Sequence, residues 1–376
     1  MMLFDMATRR RVELPEGSAP LYSPTGHLLY TQGWDPVSLW AAPFSLSGRR
    51  IEGEPFMVAR NAWQPSLAED GTLSFLEWAP NSSQLVWRDR DGKKLEAIGA
   101  GDAPRISPDG SLIAFALDGN IWLHHVRRGG RTPVTSGQAG DFRPVWSRDG
   151  KRLVFASLRG DEVDLWMAEL DRMGEEPNRI LSSPGLQVPD DWSPDGKSLT
   201  YHGAVPGAKF ALGFLTFDAS TRSWNPKLFG RANDNSTAPN APMLSPDGRF
   251  VAYFSYLSGR AEIYVERFPE GGGRTTVSSN EGRVPRWSAS GKELFYLGGG
   301  DDSGSPTGLF SVPVSTEPEF SAGRPERLFD VSSHQLLYDV SADDRRFLFS
   351  EPPEETTDTA IWIVQNWYEE FRGREN

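Results

Sequence analysis

Ser-Pro-Asp-Gly occurs intact three times, at 107–110, 193–196 and 245–248. Each residue suits its place in a type I β-turn: Ser at the first position, Pro with its preset φ at the second, Gly at the fourth. Degraded copies stand at Ser23-Pro24-Thr25-Gly26, Ala68-Glu69-Asp70-Gly71, Ser147-Arg148-Asp149-Gly150, Ser288-Ala289-Ser290-Gly291 and Ser341-Ala342-Asp343-Asp344. The fourth turn positions are 26, 71, 110, 150, 196, 248, 291 and 344, so the spacing stays between 39 and 53 residues. That is the period of a four-stranded propeller blade, whereas β-sandwich domains would repeat at roughly 100 residues.

The flanks of the turns agree. A proline stands three places before the Ser position at Pro20, Pro65, Pro104, Pro144, Pro242 and Pro285, and an apolar residue directly precedes it, as at Ile106, Trp146, Trp192 and Trp287. After each turn comes a short apolar run such as Leu153-Val154-Phe155 or Leu294-Phe295-Tyr296, which predicts a strand buried on both faces. Third strands follow, among them Gln84 to Trp87, Asn120 to Leu123 and Ala360 to Ile363; more polar fourth strands read as outer edges. The eighth repeat shows no fourth strand of its own. Leu3 to Asp5 and Arg10 to Leu14 supply strand-like pieces that would complete it from the N-terminus. The expected architecture is therefore all-β: a single propeller domain over 1–376, eight-bladed with seven as the fallback, its ring closed by N- and C-terminal strands.

Composition narrows the function. A formal charge of −12, from 39 Lys plus Arg against 51 Asp plus Glu, opposes binding to a phosphate backbone, so nucleic acid is not an expected partner. With no cysteine, thiolate metal sites and Cys nucleophiles are excluded. The stretch from Met1 to Leu14 lacks the apolar core of a signal peptide, and no apolar run reaches membrane-spanning length, which leaves the cellular compartment open.

The repeats resemble those of TolB-like propellers, whose pattern is Pro-x-Trp-Ser-Pro-Asp-Gly-Lys-x-Leu-x-Phe. Pro144 to Phe155 and Trp192 to Tyr201 are the best copies, with Pro285 to Tyr296 a degraded third. Leu85 to Lys93, Ser258 to Pro269 and the closing Val364-Gln365-Asn366-Trp367 are also similar to propellers found C-terminal to bacterial serine/threonine kinases. The resemblance implies a module that senses or binds something, attached in longer relatives to a kinase domain. This sequence contains no kinase glycine loop or catalytic loop.

Chemistry is harder to find. A prolyl-peptidase arrangement needs a Gly-x-Ser-x-Gly elbow, which is absent. A metalloenzyme of the oligogalacturonate-lyase-like type would need converging histidines, and the five available (His27, His124, His125, His202, His334) fall at different levels of the repeats. The turn aspartates lack the alternating ligand pattern of a calcium loop, as in Asp-x-Asp-x-Asp-Gly, and are assigned to folding. The expected function is thus non-catalytic and cofactor-free: a monomer recognising a protein, peptide or small ligand at the mouth opposite the turns. That mouth would gather Trp34, Trp63, Asp102, Arg143, Asp190, Asn235, Asn240, Arg283 and His334, while Arg105, Asp191, Arg286 and Asp339 face the channel. Trp34, Trp63, Arg105, Arg143, Asp191, Arg283, Arg286 and His334 are the candidate ligand-binding residues, because aromatic and Arg side chains dominate recognition surfaces.

Overall fold

The computed structural model describes all residues except 5–8, 10, 15–16, 33–37, 60–61, 78–82, 138, 160–161, 206, 230–239, 301–306, 333–336, 354–359 and 372–376. Among the described residues the regular structure is β-strand apart from two short 3-10 turns, Leu170–Arg172 and Trp367–Glu370. The chain divides into two compact units, Met1–Ser82 with Glu354–Asn376, and Ser83–Pro353.

Each of the eight turns reverses one strand into the next, by a repeated hydrogen-bond set. At 107–110 the Gly110 N–H donates to Ser107 O at 2.8 Å. Ser107 Oγ donates to Asp109 Oδ1 at 2.7 Å and accepts from Leu112 N–H at 2.9 Å, and Asp109 Oδ1 accepts from Ser111 N–H at 3.0 Å. The same bonds recur in the turns that begin at Ser147, Ser193, Ser245 and Ser341. The fourth position needs left-handed backbone: Gly110 has φ +69°, and in the eighth turn Asp344 adopts φ +57°.

The recurring proline also has a structural cause. In the strands Asp102–Ile106, Asp141–Trp146, Asn240–Leu244 and Gly282–Trp287 the pairing register slips just before the turn. At each slip the residue before Pro has positive φ: Ala103 (+49°), Arg143 (+54°), Ala241 (+49°) and Val284 (+51°). Each is a β-bulge, where the ladder requires no N–H and proline is tolerated.

Ser83–Pro353 holds six sheets. Five follow the chain, with first strands Asp102–Ile106, Asp141–Trp146, Gln187–Trp192, Asn240–Leu244 and Gly282–Trp287. The sixth joins Leu337–Val340 and Arg346–Glu351 to Gln84–Asp89 and Lys94–Ala100, so the two ends of this unit share one sheet. Apolar clusters run from sheet to sheet round the circle. Ala114 and Ile121 pack on Trp146 and Phe155, Val154 and Leu165 on Trp192 and Tyr201, and Phe214 on Val251 and Tyr253. Phe250 and Ile263 pack on Trp287 and Tyr296, Phe295 and Leu309 on Tyr338 and Phe349, and Leu348 and Trp87 on Ile113 and Phe115. Second strands such as Leu153-Val154-Phe155 are inaccessible because both faces meet a neighbouring sheet.

The other unit contains a five-stranded sheet from Ser18–Ser23 to Phe56–Ala59, a three-stranded sheet in the order Ala360–Val364, Leu73–Glu77, Ala62–Leu67, and a pair formed by Met2–Phe4 and Arg11–Glu13. Leu29, Leu39, Phe56, Leu73 and Phe75 form its core with Trp367 and Phe371. Trp367 is wholly inaccessible; Asn366 before it turns the backbone with φ +51°.

Eight turns therefore mark eight sheets, but the strand pairing departs from the expected ring closure. The N-terminal strands pair with each other, and Ala360–Val364 pairs with Leu73–Glu77 rather than following Arg346–Glu351 in its sheet. Gln84–Asp89 pairs with Arg346–Glu351. Third strands are apolar and alike, so their partner is chosen by side chains across the pair. Arg88 donates to Glu351 Oε2 at 3.1 and 2.8 Å, and the Arg346 guanidinium lies 4.8 Å over the Trp87 ring.

Candidate functional site

The six first strands of Ser83–Pro353 surround an axial recess of ≈ 400 Å³, counted out to open solvent. All six contribute. Ala103, Arg143, Ala241 and Val284 are the positive-φ bulge residues, and Pro104, Pro144 and Pro189 add apolar wall. Leu337 and Tyr338 come from the sixth sheet, while Arg105, Asp190 and Arg286 supply the charge. The bulge residues lie near the starts of their strands, on the side away from the turns.

Arg143 is exposed and makes no hydrogen bond or ion pair to any described residue. Deeper groups are paired. Asp339 Oδ1 lies 3.6 Å from Arg286 Nε and 3.8 Å from Arg105 Nη1, and its Oδ2 accepts from Ile106 N–H at 2.8 Å. Arg286 donates to Tyr338 O at 3.2 Å and Pro285 O at 2.9 Å, and its guanidinium lies 5.6 Å over the Tyr338 ring. Arg105 donates to Asp190 O and touches Met243 Sδ at 3.6 Å. Burial first, and then the neighbouring Arg105 charge, push Arg286 down to about 10.

Part of this charge holds neighbouring sheets together. Asp191 Oδ2 accepts from Leu244 N–H of the next sheet at 3.0 Å, just as Asp339 accepts from Ile106. Asp191 also accepts from Trp192 N–H at 2.9 Å and pairs with Arg148 at 3.3 Å. Trp146 Nε1 donates to Arg105 O at 2.9 Å and Trp287 Nε1 to Met243 O at 3.0 Å, each reaching the preceding sheet. Asp191 is thus committed to the fold and is not among the groups lining the recess.

Of the candidate residues, the recess brings together Arg105, Arg143 and Arg286, with Asp190 beside them. Asp190 Oδ2 pairs with His202 Nδ1 at 2.8 Å, the carboxylate accepting. Arg283 turns to Tyr256, its guanidinium 5.7 Å over that ring. Asp102 accepts from Ser350 Oγ at 2.5 Å. Trp34, Asn235, His334 and the Trp63 side chain lie outside the described residues, and the strand Ala62–Leu67 that carries Trp63 belongs to the other unit. Val284, Leu337 and Tyr338 were not anticipated; for Val284 the legible signal was its place before the repeated Pro285, where the bulge turns it onto the axis. Among the described residues no three His, Asp or Glu side chains converge as a metal site would require.

No family model matches the chain. A stretch of 117 residues is 32% identical to the uncharacterized peptidase YuxL of Bacillus subtilis, covering 28% of this chain and 17% of that protein, so the chain spans well under half the length of this relative. A protein of Agrobacterium tumefaciens named as a TolB superposes with TM-score 0.58 at 19% identity, over 72% of this chain and 99% of its own. An oligogalacturonate lyase solved in complex with manganese superposes with TM-score 0.50 at 13% identity, over 90% of this chain and 98% of its own. Sheet order and superposition agree that the chain carries a β-propeller fold.

Proposed function

We propose that the chain is a non-catalytic binding module that recognises a protein, peptide or small ligand at the axial mouth opposite the Ser-Pro-Asp-Gly turns. The observation that carries this reading is Arg143: an exposed guanidinium without a partner among the described residues, set by a bulge over a recess to which all six sheets contribute. Concave, mostly apolar hollows with a few convergent polar groups are where ligands bind. The test is affinity capture from the source cell with wild type and Arg143→Glu in parallel. A partner retained by wild type and lost with the variant supports the reading; identical partner sets with unchanged recovery would sink it.

The enzyme reading, a lyase-like propeller with a His-based metal site, draws on one feature, the His202–Asp190 pair beside the recess. It predicts a stoichiometric divalent ion in purified protein and unsaturated product from oligogalacturonate. The binding reading predicts neither.

A further inference from the structure

Resting on the mouth as the binding site, we infer that the recess of Ser83–Pro353 is a carboxylate site, taking an apolar group that ends in a free carboxylate. Charge is the first reason. Arg105, Arg143 and Arg286 all line the recess, whereas the carboxylates near them are otherwise engaged. Asp191 is held by Arg148 and two backbone N–H groups, and Asp190 by His202. That leaves Asp339 alone facing two guanidiniums, at 3.6 and 3.8 Å, beyond direct hydrogen-bond reach. In a chain of formal charge −12, the axis carries a surplus of cation.

Unused donors are the second reason. A guanidinium has about five N–H donors. Arg286, whose side chain is only 9% exposed, spends them on two carbonyl oxygens, and Arg105 on one carbonyl and a weakly accepting sulfur. A buried cation with open donors is costly unless an anion completes it, and planar guanidinium matches planar carboxylate in paired bonds. Burial first, and the Arg105 charge second, hold Arg286 down at about 10 against the opposing Asp339 and Asp191 carboxylates.

The wall sets the rest of the ligand. Pro104, Pro144, Pro189, Val284 and Leu337 present apolar surface, which suits a short aliphatic body. A small branched acid and the last residue of a peptide both combine such an aliphatic body with the same carboxylate.

The experiment is calorimetric titration of the full chain with four probes: isovalerate, isovaleramide, acetyl-Ala-Val-Leu with a free C-terminus, and its C-terminal amide. Both acids, or one, should bind at least tenfold more tightly than the matching amide. Arg143→Gln should lose that preference while Arg143→Lys keeps part of it, and raising chloride should weaken binding by competition. Preference for the peptide acid assigns a chain end; preference for isovalerate assigns a small acid. Acid and amide binding equally would overturn the carboxylate inference while leaving the mouth as a binding site. No binding by any probe would overturn it too, and the capture experiment with Arg143→Glu then decides the mouth independently.

Discussion

Asp339 offers the sharpest test of how the ring of Ser83–Pro353 is held together. Its carboxylate spans three sheets, accepting from Ile106 N–H at 2.8 Å and facing Arg105 and Arg286. Asp339→Ala strands the Ile106 N–H, a loss of about 1–3 kcal/mol for a buried donor. It also leaves two guanidiniums facing each other. Breaking a fully buried pair costs about 3–5 kcal/mol, but the long separations and the 16% exposure of Asp339 reduce that share to about 1 kcal/mol. The sum is about 3 kcal/mol, which for a unit of this size lowers Tm by roughly 6–12 °C. Asp339→Asn keeps an acceptor for Ile106 and removes only the charge, so it should cost about 1 kcal/mol. Urea unfolding followed by tryptophan fluorescence reads both variants. An Asp339→Ala midpoint equal to that of wild type, or an Asn variant as damaged as the Ala variant, would refute the assignment of most of the energy to the inter-sheet hydrogen bond.

Further outcomes follow from the same geometry. Residues 83–353, expressed alone, should unfold cooperatively as a β-protein, because its sixth sheet is built from its own two ends; an insoluble or non-cooperative product would show that it depends on the other unit. Trp367→Ala should destabilise the unit around Leu29 and Phe56 by about 3–5 kcal/mol, detected as early proteolytic cleavage there while Ser83–Pro353 resists. Gly203→Ala would put a Cβ against Leu186 O at a backbone φ of +128°, and should cost more than about 2 kcal/mol by thermal unfolding. The turn aspartates predict acid sensitivity. The bond from Ser107 Oγ, then that from Ser111 N–H, holds Asp109 below the usual carboxylate range, and Asp149, Asp195 and Asp343 are lowered first by their own turn Ser. A depressed folded-state pKa contributes stability that is complete above the unfolded value of about 4 and lost as pH falls through the folded value. Unfolding midpoints should therefore drop below pH ~4, and less steeply in Ser107→Ala and Ser193→Ala; parallel pH profiles would contradict this.

The sequence by itself determined the turns, their number and the strands on either side. Ser, Asp and Gly act on backbone groups no more than five residues away, so a local pattern suffices, and the prediction that the Asp residues serve folding follows from it. The same locality made three arginines of the axis legible, since Arg105 and Arg286 stand two places before a turn and Arg143 directly before a repeated proline. Only the tertiary structure decided which third strand joins which second strand. Gln84–Asp89 and Ala360–Val364 are both short apolar strands, and the contacts that separate them, Arg88 with Glu351 and Arg346 with Trp87, join residues more than 250 positions apart. Only the fold, likewise, showed that Asp191 binds the next sheet while Arg143 is left over the recess, because hydrogen bonds between sheets have no period along the chain.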